Sequence, residues 1–142
     1  MCVMKKRQVE SDLKALGPYS LGIAYANTLY LSAQLPLNLQ GEVVAEGVKQ
    51  QCIQAIENIE HILESNDLSL NDVIRTTLYL TDIEDYACIN QVYAIYFSHP
   101  YPARTVMEVA RLPKDAKVQI ECVVSSKASV GLEYEDECGD CD

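Results

Sequence analysis

Arg104 and Glu121 are the charged side chains whose positions best suit chemistry on a small substrate. They lie in residues 103–110 and 117–125, where the alternation of side chains predicts β-strands. A guanidinium binds a carboxylate through two parallel hydrogen bonds. A carboxylate beside it can orient a water molecule or exchange a proton. The pair therefore predicts a site for a small carboxylate, and the alternative is a structural ion pair between neighbouring strands.

The separation of the two side chains depends on how their strands pair. A six-residue connection, residues 111–116, favours an antiparallel hairpin in which Val106 lies opposite Glu121 and Arg104 opposite Val123. Arg104 and Glu121 are then diagonal neighbours on one face, about 7–8 Å apart. A slip of one residue would place them on different faces.

The rest of the sequence predicts the elements that position this hairpin. Two strands are joined around Asn27, and the helices show apolar residues at steps of three and four. The predicted order is β-β-α-β-α-β-β, with elements at residues 19–26, 28–34, 46–64, 72–80, 86–97, 103–110 and 117–125. This order favours one α+β domain, a single mixed β-sheet with both helices packed on one face. The other face stays partly apolar, so we expect a homo-oligomer.

Composition and charge narrow the class of protein. The 142 residues are 49% hydrophobic and 23% charged, which indicates one globular domain. We expect a cytoplasmic protein, because no apolar run reaches the roughly 20 residues of a membrane span and no secretory signal follows Arg7. The net charge of −10 disfavours nucleic acid as a partner. Residues 1–16 are expected to be loosely ordered, and residues 127–142 to be an acidic, disordered tail.

The cysteines and histidines predict no metal site. Without a secretory signal, the six cysteines are expected to be reduced thiols. Cys138 and Cys141 have the spacing of a metal or redox pair, but no second such pair accompanies them. His61 and His99 are too far apart in the sequence to form a zinc motif.

Several ordered motifs together resemble one known family. The matching stretches are Gly17-Pro18-Tyr19-Ser20, Ser32-Ala33-Gln34-Leu35-Pro36, Thr76-Thr77-Leu78-Tyr79-Leu80-Thr81-Asp82, Asn90-Gln91-Val92-Tyr93, Pro102-Ala103-Arg104-Thr105, and Glu108-Val109-Ala110-Arg111-Leu112-Pro113-Lys114-Asp115-Ala116 with Ile120-Glu121. Over residues 15 to 126 the chain resembles the reactive intermediate deaminase family, also called RidA or YjgF. The resemblance implies a chorismate-mutase-like α+β domain at residues 17–126 that forms a homotrimer with ligand clefts between subunits.

The same resemblance implies an activity and a set of site residues. Archetypal members are 2-iminobutanoate/2-iminopropanoate deaminases, which hydrolyse enamines and imines such as 2-aminoacrylate to 2-keto acids and ammonia without a cofactor. Arg104 matches the arginine that binds the substrate carboxylate, and Glu121 the glutamate that orients the attacking water. The other matching residues line the cleft: Tyr19, Asn90, and Ser32, Ala33 and Gln34 with their backbone groups.

Two departures from the family pattern keep a second function open. Ala33 stands where the family usually has glycine, and Val106 where it often has cysteine or a small residue. Both changes are expected to narrow the pocket, and a methyl group at position 33 disfavours a left-handed backbone. The alternative is therefore a non-catalytic trimer that binds small carboxylates in a regulatory role. A ribonuclease or translation inhibitor, a role also attached to some relatives, receives little support from the acidic charge.

Overall fold

A computed structural model describes residues 5–126, which form six β-strands and two α-helices. Their bounds are β1 Arg7–Gln8, β2 Gly22–Tyr25, β3 Thr28–Gln34, α1 Val48–Glu64, β4 Val73–Leu80, α2 Tyr86–Tyr96, β5 Ala103–Glu108 and β6 Val118–Ser125. The predicted order of the two helices and the strands from β2 to β6 is confirmed. The predicted tail, with Cys138 and Cys141, lies outside the described residues.

All six strands belong to one sheet in the order β1-β2-β3-β6-β4-β5. The β2–β3 hairpin is antiparallel and turns at Ala26 and Asn27, close to the predicted turn. Strand β6 lies antiparallel between β3 and β4, whereas β5 is parallel to β4. The sheet is therefore mixed, as predicted.

The predicted hairpin of β5 with β6 is wrong, because β4 lies between the two strands. Helix α2 connects β4 to β5 as a crossover, and such a connection returns the chain parallel to the strand that it left. A short 3₁₀ turn, Pro113–Asp115, then precedes β6 on the far side of β4. As a result, Arg104 pairs with Thr76 and Val106 with Leu78, instead of with residues of β6.

The two faces of the sheet differ in what covers them. One face, called the covered face below, packs against both helices, and its side chains are buried: Leu29, Leu31, Thr76, Leu78, Leu80, Val118, Ile120, Cys122 and Val124. The other, the open face, leaves Tyr30 52% and Met107 40% exposed. This agrees with the expectation of a partly apolar second face. Neither helix is long and apolar enough to cross a membrane.

The N-terminal segment, expected to be loosely ordered, makes specific contacts from residue 7 onward. Residues Arg7–Gln8 add a short strand to β2, and Val9 is only 6% exposed. The Glu10 N–H donates to Asn66 Oδ1 at 3.1 Å, and Asn66 Nδ2 donates back to the Glu10 carbonyl at 2.8 Å. These bonds attach the segment to the end of α1.

Candidate active site

Arg104 is held against helix α2 by three of its side chains. Arg104 Nη2 donates to Asn90 Oδ1 at 2.8 Å and to the Tyr86 hydroxyl at 3.1 Å. The guanidinium carbon lies 4.8 Å from the centre of the Tyr93 ring and 5.6 Å from that of Tyr86, within the range of cation–π attraction. The three residues are spaced i, i+4 and i+7 along α2, so they form one stripe facing β5.

The Tyr93 ring beneath the guanidinium is itself fixed from below. Its hydroxyl shares a 2.8 Å hydrogen bond with Thr76 Oγ1, and both residues are buried. Burial raises the pKa of the Tyr93 hydroxyl, which therefore stays neutral. The ring also stacks on Phe97 with a centroid distance of 4.3 Å. Arg104 thus rests on a rigid support that links the sheet to α2.

A cavity of about 360 Å³ lies beside Arg104. Its lining is mainly apolar and aromatic: Asn90, Tyr93, Ala94, Tyr101, Pro102 and Arg104. Both side-chain hydrogen bonds that Arg104 makes within residues 5–126 come from Nη2. Its Nη1 and Nε groups therefore donate to no described residue. The remaining N–H groups of the guanidinium can therefore bind a carboxylate in the cavity.

Glu121 lies half-buried on the open face, in register with Thr77 of β4. The hydroxyl of Tyr79, which also lies on β4, donates a hydrogen bond to Glu121 Oε1. This bond to the carboxylate raises the pKa of Tyr79, with smaller contributions from burial and from the negative charge. Tyr79 is therefore a neutral hydrogen-bond donor at physiological pH.

A β-bulge in β3 faces Glu121 across the sheet. Strand β3 pairs with β6 at Leu31 and again at Gln34, and the register between these pairs leaves Ser32 and Ala33 together opposite the single residue Glu121. A bulge interrupts the ladder and frees backbone groups, and bulges are common beside active sites. The predicted backbone contacts of residues 32–34 and the predicted glutamate thus lie side by side.

Side chains around the bulge hold its shape. Ser32 Oγ donates to the Ser20 carbonyl at 2.7 Å, and Gln34 Nε2 donates to the Ser32 carbonyl at 3.0 Å. Tyr19 and Ala33 line two cavities of about 390 and 440 Å³. Ala33 is not among the described residues with positive φ, so its backbone conformation suits alanine. The expected conflict between this methyl group and a left-handed backbone therefore does not arise.

The predicted site residues form two groups on opposite faces of the sheet. Arg104 shares its row with Thr76 and Cys122 on the covered face, whereas Glu121 shares its row with Thr77 on the open face. The prediction that Arg104 and Glu121 are diagonal neighbours is therefore wrong for a single chain. We call Arg104 with its α2 partners the arginine group, and Glu121 with Tyr79 and the bulge the glutamate group.

Val106 also lies elsewhere than predicted. It is on the covered face, two residues after Arg104, where it packs partly buried against the core. It is not opposite Glu121, because Ile120 is the β6 residue in its row. Within one chain, Val106 is therefore not a neighbour of Glu121.

Sequence reasoning missed Tyr79, Tyr86 and Tyr93. The last two were recognisable only as apolar positions of a helix, although their spacing with Asn90 already forms one stripe. Tyr79 alternates with the buried residues of β4, which places it on the open face. Its contact with Glu121 could be predicted only from the β4–β6 pairing, which replaced the expected hairpin.

The described histidines are engaged separately. His61 Nε2 lies 2.5 Å from Asp12 Oδ1, and His99 packs edge-on against Tyr101 at 5.9 Å. Within residues 5–126, no three side chains of His, Cys, Asp or Glu are close enough together to hold a metal ion.

Comparisons with known proteins give a consistent result. The family model described as Endoribonuclease L-PSP matches residues 9–126. A RutC family protein of Pyrococcus horikoshii is 46% identical over 115 residues, which are 80% of this chain and 91% of the relative. A protein of Escherichia coli K12 named 2-iminobutanoate/2-iminopropanoate deaminase is 39% identical over 118 residues, with the same two coverages of 80% and 91%.

Solved structures of similar proteins agree with the fold. RidA from the Antarctic bacterium Psychrobacter sp. superposes with a TM-score of 0.80 at 39% identity, covering 84% of this chain and 98% of that chain. Escherichia coli TdcF, solved with bound serine, gives a TM-score of 0.77 at 37% identity, with coverages of 84% and 98%.

Proposed function

The chain belongs to the Endoribonuclease L-PSP family, which includes the RidA/YjgF proteins, and we propose that it is a hydrolytic deaminase of reactive enamines and imines. Its substrates are 2-aminoacrylate and related 2-imino acids, and its products are 2-keto acids and ammonia. The observation that carries the proposal is Arg104, whose guanidinium is fixed by α2 while its remaining N–H groups face a cavity. This arrangement suits a small carboxylate.

Arg104 binds the substrate carboxylate in this proposal. Two parallel hydrogen bonds from the guanidinium fix both the position and the orientation of a planar carboxylate. The imine carbon is bonded to this carboxylate, so fixing the carboxylate also fixes the electrophile. Such positioning is a large part of what the reaction needs, because the C=N carbon is already electrophilic.

Glu121 orients the water that attacks this carbon. 2-Aminoacrylate first becomes the 2-imino acid, as its terminal carbon takes up a proton and its nitrogen loses one. The water oxygen then forms a C–O bond while the C=N electron pair moves to nitrogen, and one proton of the water passes to that nitrogen. Loss of ammonia from the resulting carbinolamine, with a proton leaving its hydroxyl, gives the 2-keto acid. Water is consumed and ammonia released in equal amounts, so the reaction needs no oxidant or reductant. The contribution of Glu121 is hydrogen bonding and proton exchange with the water.

Both groups can meet at one substrate only if a second copy of the chain takes part. In a single chain, Arg104 lies on the covered face at the β5 edge and Glu121 on the open face. A closed symmetric ring places the same pair of surfaces in contact at every interface. We therefore propose that the arginine group of one subunit and the glutamate group of its neighbour form each cleft, with three subunits in the ring, as the family resemblance implies. The exposed Tyr30 and Met107 on the open face support burial by another subunit.

A non-catalytic carboxylate-binding protein is the alternative. The arginine group is complete within one chain and needs no Glu121 to bind a carboxylate. Binding without turnover is therefore physically possible. Ala33 and Val106, which are expected to narrow the pocket, are the sequence features that favour this alternative. The nuclease activity in the family's name gains no support from a net charge of −10.

The test is ammonia release from 2-aminoacrylate generated in situ by a serine dehydratase. The wild-type protein should accelerate the release of pyruvate and ammonia over the spontaneous reaction, and Arg104→Ala should not. Titration with pyruvate distinguishes the alternative: binding that depends on Arg104, without acceleration for any imine, would identify a carboxylate-binding protein instead of a deaminase.

A further inference from the structure

The Glu121 carboxylate has one side-chain partner among the described residues, the Tyr79 hydroxyl. The bond joins Tyr79 Oη to Glu121 Oε1, across neighbouring strands of the open face. Tyr79 pairs with Gln119 and Glu121 with Thr77, so the two side chains are diagonal neighbours on this face. Both strands lie inside the sheet, between β3 and β5, so their register keeps the two side chains as neighbours.

The bond gives the two carboxylate oxygens of Glu121 different partners. Oε1 is occupied by Tyr79, and no described side chain donates to Oε2. On the other side of Glu121 lies the bulge formed by Ser32 and Ala33. Oε2 is therefore the oxygen that can accept a hydrogen bond from a water molecule in the cleft, and its direction is set by Tyr79.

We propose that Tyr79 is a positioning residue for the reaction: it holds Glu121 Oε1 so that Oε2 presents one fixed acceptor to the attacking water. This inference rests on the proposed function. Tyr79 touches neither the substrate nor the water, and it acts only through Glu121. It stays a donor because its pKa is raised, chiefly by the bond to Glu121. Without the hydroxyl, the glutamate would sample other rotamers and the water would lose its fixed position.

The variant Tyr79→Phe tests the inference by removing one oxygen and keeping the ring. We expect kcat to fall at least about tenfold, the lower end of the effect of losing one hydrogen bond to a charged group. KM should stay within about twofold, because the arginine group that binds the carboxylate is untouched. A loss of packing alone would lower the thermal stability or raise KM. It would not explain a lower kcat with an almost unchanged KM.

A second tyrosine–glutamate bond in the molecule provides a matched control. Tyr96 Oη donates to Glu57 Oε2 at 3.3 Å, between α2 and α1, and neither residue lines the cavity beside Arg104. The variant Tyr96→Phe removes the same hydroxyl from the same kind of pair. We expect its kcat and KM to equal those of the wild type.

Two results would overturn the inference while the deaminase activity stands. One is an unchanged kcat in Tyr79→Phe. The other is an equal further loss when Tyr79→Phe is added to Glu121→Ala, since a residue that acts only through the Glu121 side chain adds nothing once that side chain is gone. Failure of the proposed function looks different, because the wild type itself then does not accelerate ammonia release over the spontaneous reaction, and the inference falls with it. The Tyr79–Glu121 contact can still be measured in that event, as a Tyr79 pKa that falls in Glu121→Gln, by NMR of ¹³C-labelled tyrosine.

Discussion

The arginine group and the glutamate group are held in different ways. Arg104 has two hydrogen bonds and two ring contacts, all from one face of α2, and one of the rings is anchored further by Thr76. Glu121 has a single side-chain bond within residues 5–126, from Tyr79. The first group is redundant and partly buried, whereas the second depends on one contact on an open face.

The difference teaches how the two tasks are divided. Binding a carboxylate needs a fixed guanidinium, and redundant contacts supply it before any substrate arrives. Delivering water needs a hydrogen-bond acceptor, the Glu121 carboxylate, that stays exposed until the cleft forms. An exposed carboxylate has fewer contacts within its own chain to hold it. Loss of one support should therefore affect the glutamate group more than the arginine group.

The largest expected effect is that of Glu121→Gln. The amide keeps the shape of the side chain but is a far weaker base, so we expect kcat to fall about 10²- to 10⁴-fold with KM little changed. Steady-state ammonia release measures both constants. Full activity in this variant would remove Glu121 from the mechanism.

Arg104→Lys should have the next largest effect. Lysine keeps the positive charge but lacks the planar fork and stacks less well on Tyr93, so kcat/KM should fall about 100-fold, mostly through KM. Isothermal titration with pyruvate should show the weaker carboxylate binding directly. Equal affinity in both proteins would mean that charge alone binds the ligand.

Asn90→Ala tests the redundancy of the arginine group. It removes one of two hydrogen bonds from Arg104 Nη2 and leaves the Tyr86 and Tyr93 contacts. We expect kcat/KM to fall no more than about fivefold, below the effect of Tyr79→Phe on kcat. A larger loss in Asn90→Ala than in Tyr79→Phe would reverse the comparison.

A separate contrast, outside the kinetic series, concerns the two faces beside Glu121. Its neighbour Cys122 points to the covered face, and burial raises the pKa of the Cys122 thiol to about 12. The reactive thiolate therefore forms only well above pH 10, and at pH 8 iodoacetamide should modify Cys122 at least about 100-fold more slowly than half-buried Cys88. Peptide mass spectrometry of the native protein measures both rates. Equal rates would show that the covered face opens easily.

Much of the fold was predictable because its signals are local. The apolar steps of α1 and the alternation in β4 and β6 depend only on neighbouring residues, and the structure confirms these elements. The β5–β6 pairing was not predictable in this way, because proximity in sequence favoured a hairpin while the crossover through α2 placed β5 beside β4.

The candidate site shows the same limit. The resemblance identified Arg104 and Glu121, but residue types alone could not assign them to opposite faces of the sheet. That assignment depends on β4, which lies between β5 and β6 and changes the neighbours of both strands. The bulge at Ser32 and Ala33 also has no sequence signal of its own and appears only in the β3–β6 register. Tyr79 became recognisable only once the β4–β6 register was known.

The most direct test of the account is complementation between two inactive variants. Arg104→Ala and Glu121→Gln are each expected to be inactive alone, and they are then co-assembled in equal amounts. If each cleft takes its arginine from one subunit and its glutamate from the next, random mixing restores both groups in about one site in four. The account predicts about a quarter of the wild-type ammonia release from the mixture. Activity no higher than that of the separate variants would contradict a site shared between two copies of the chain.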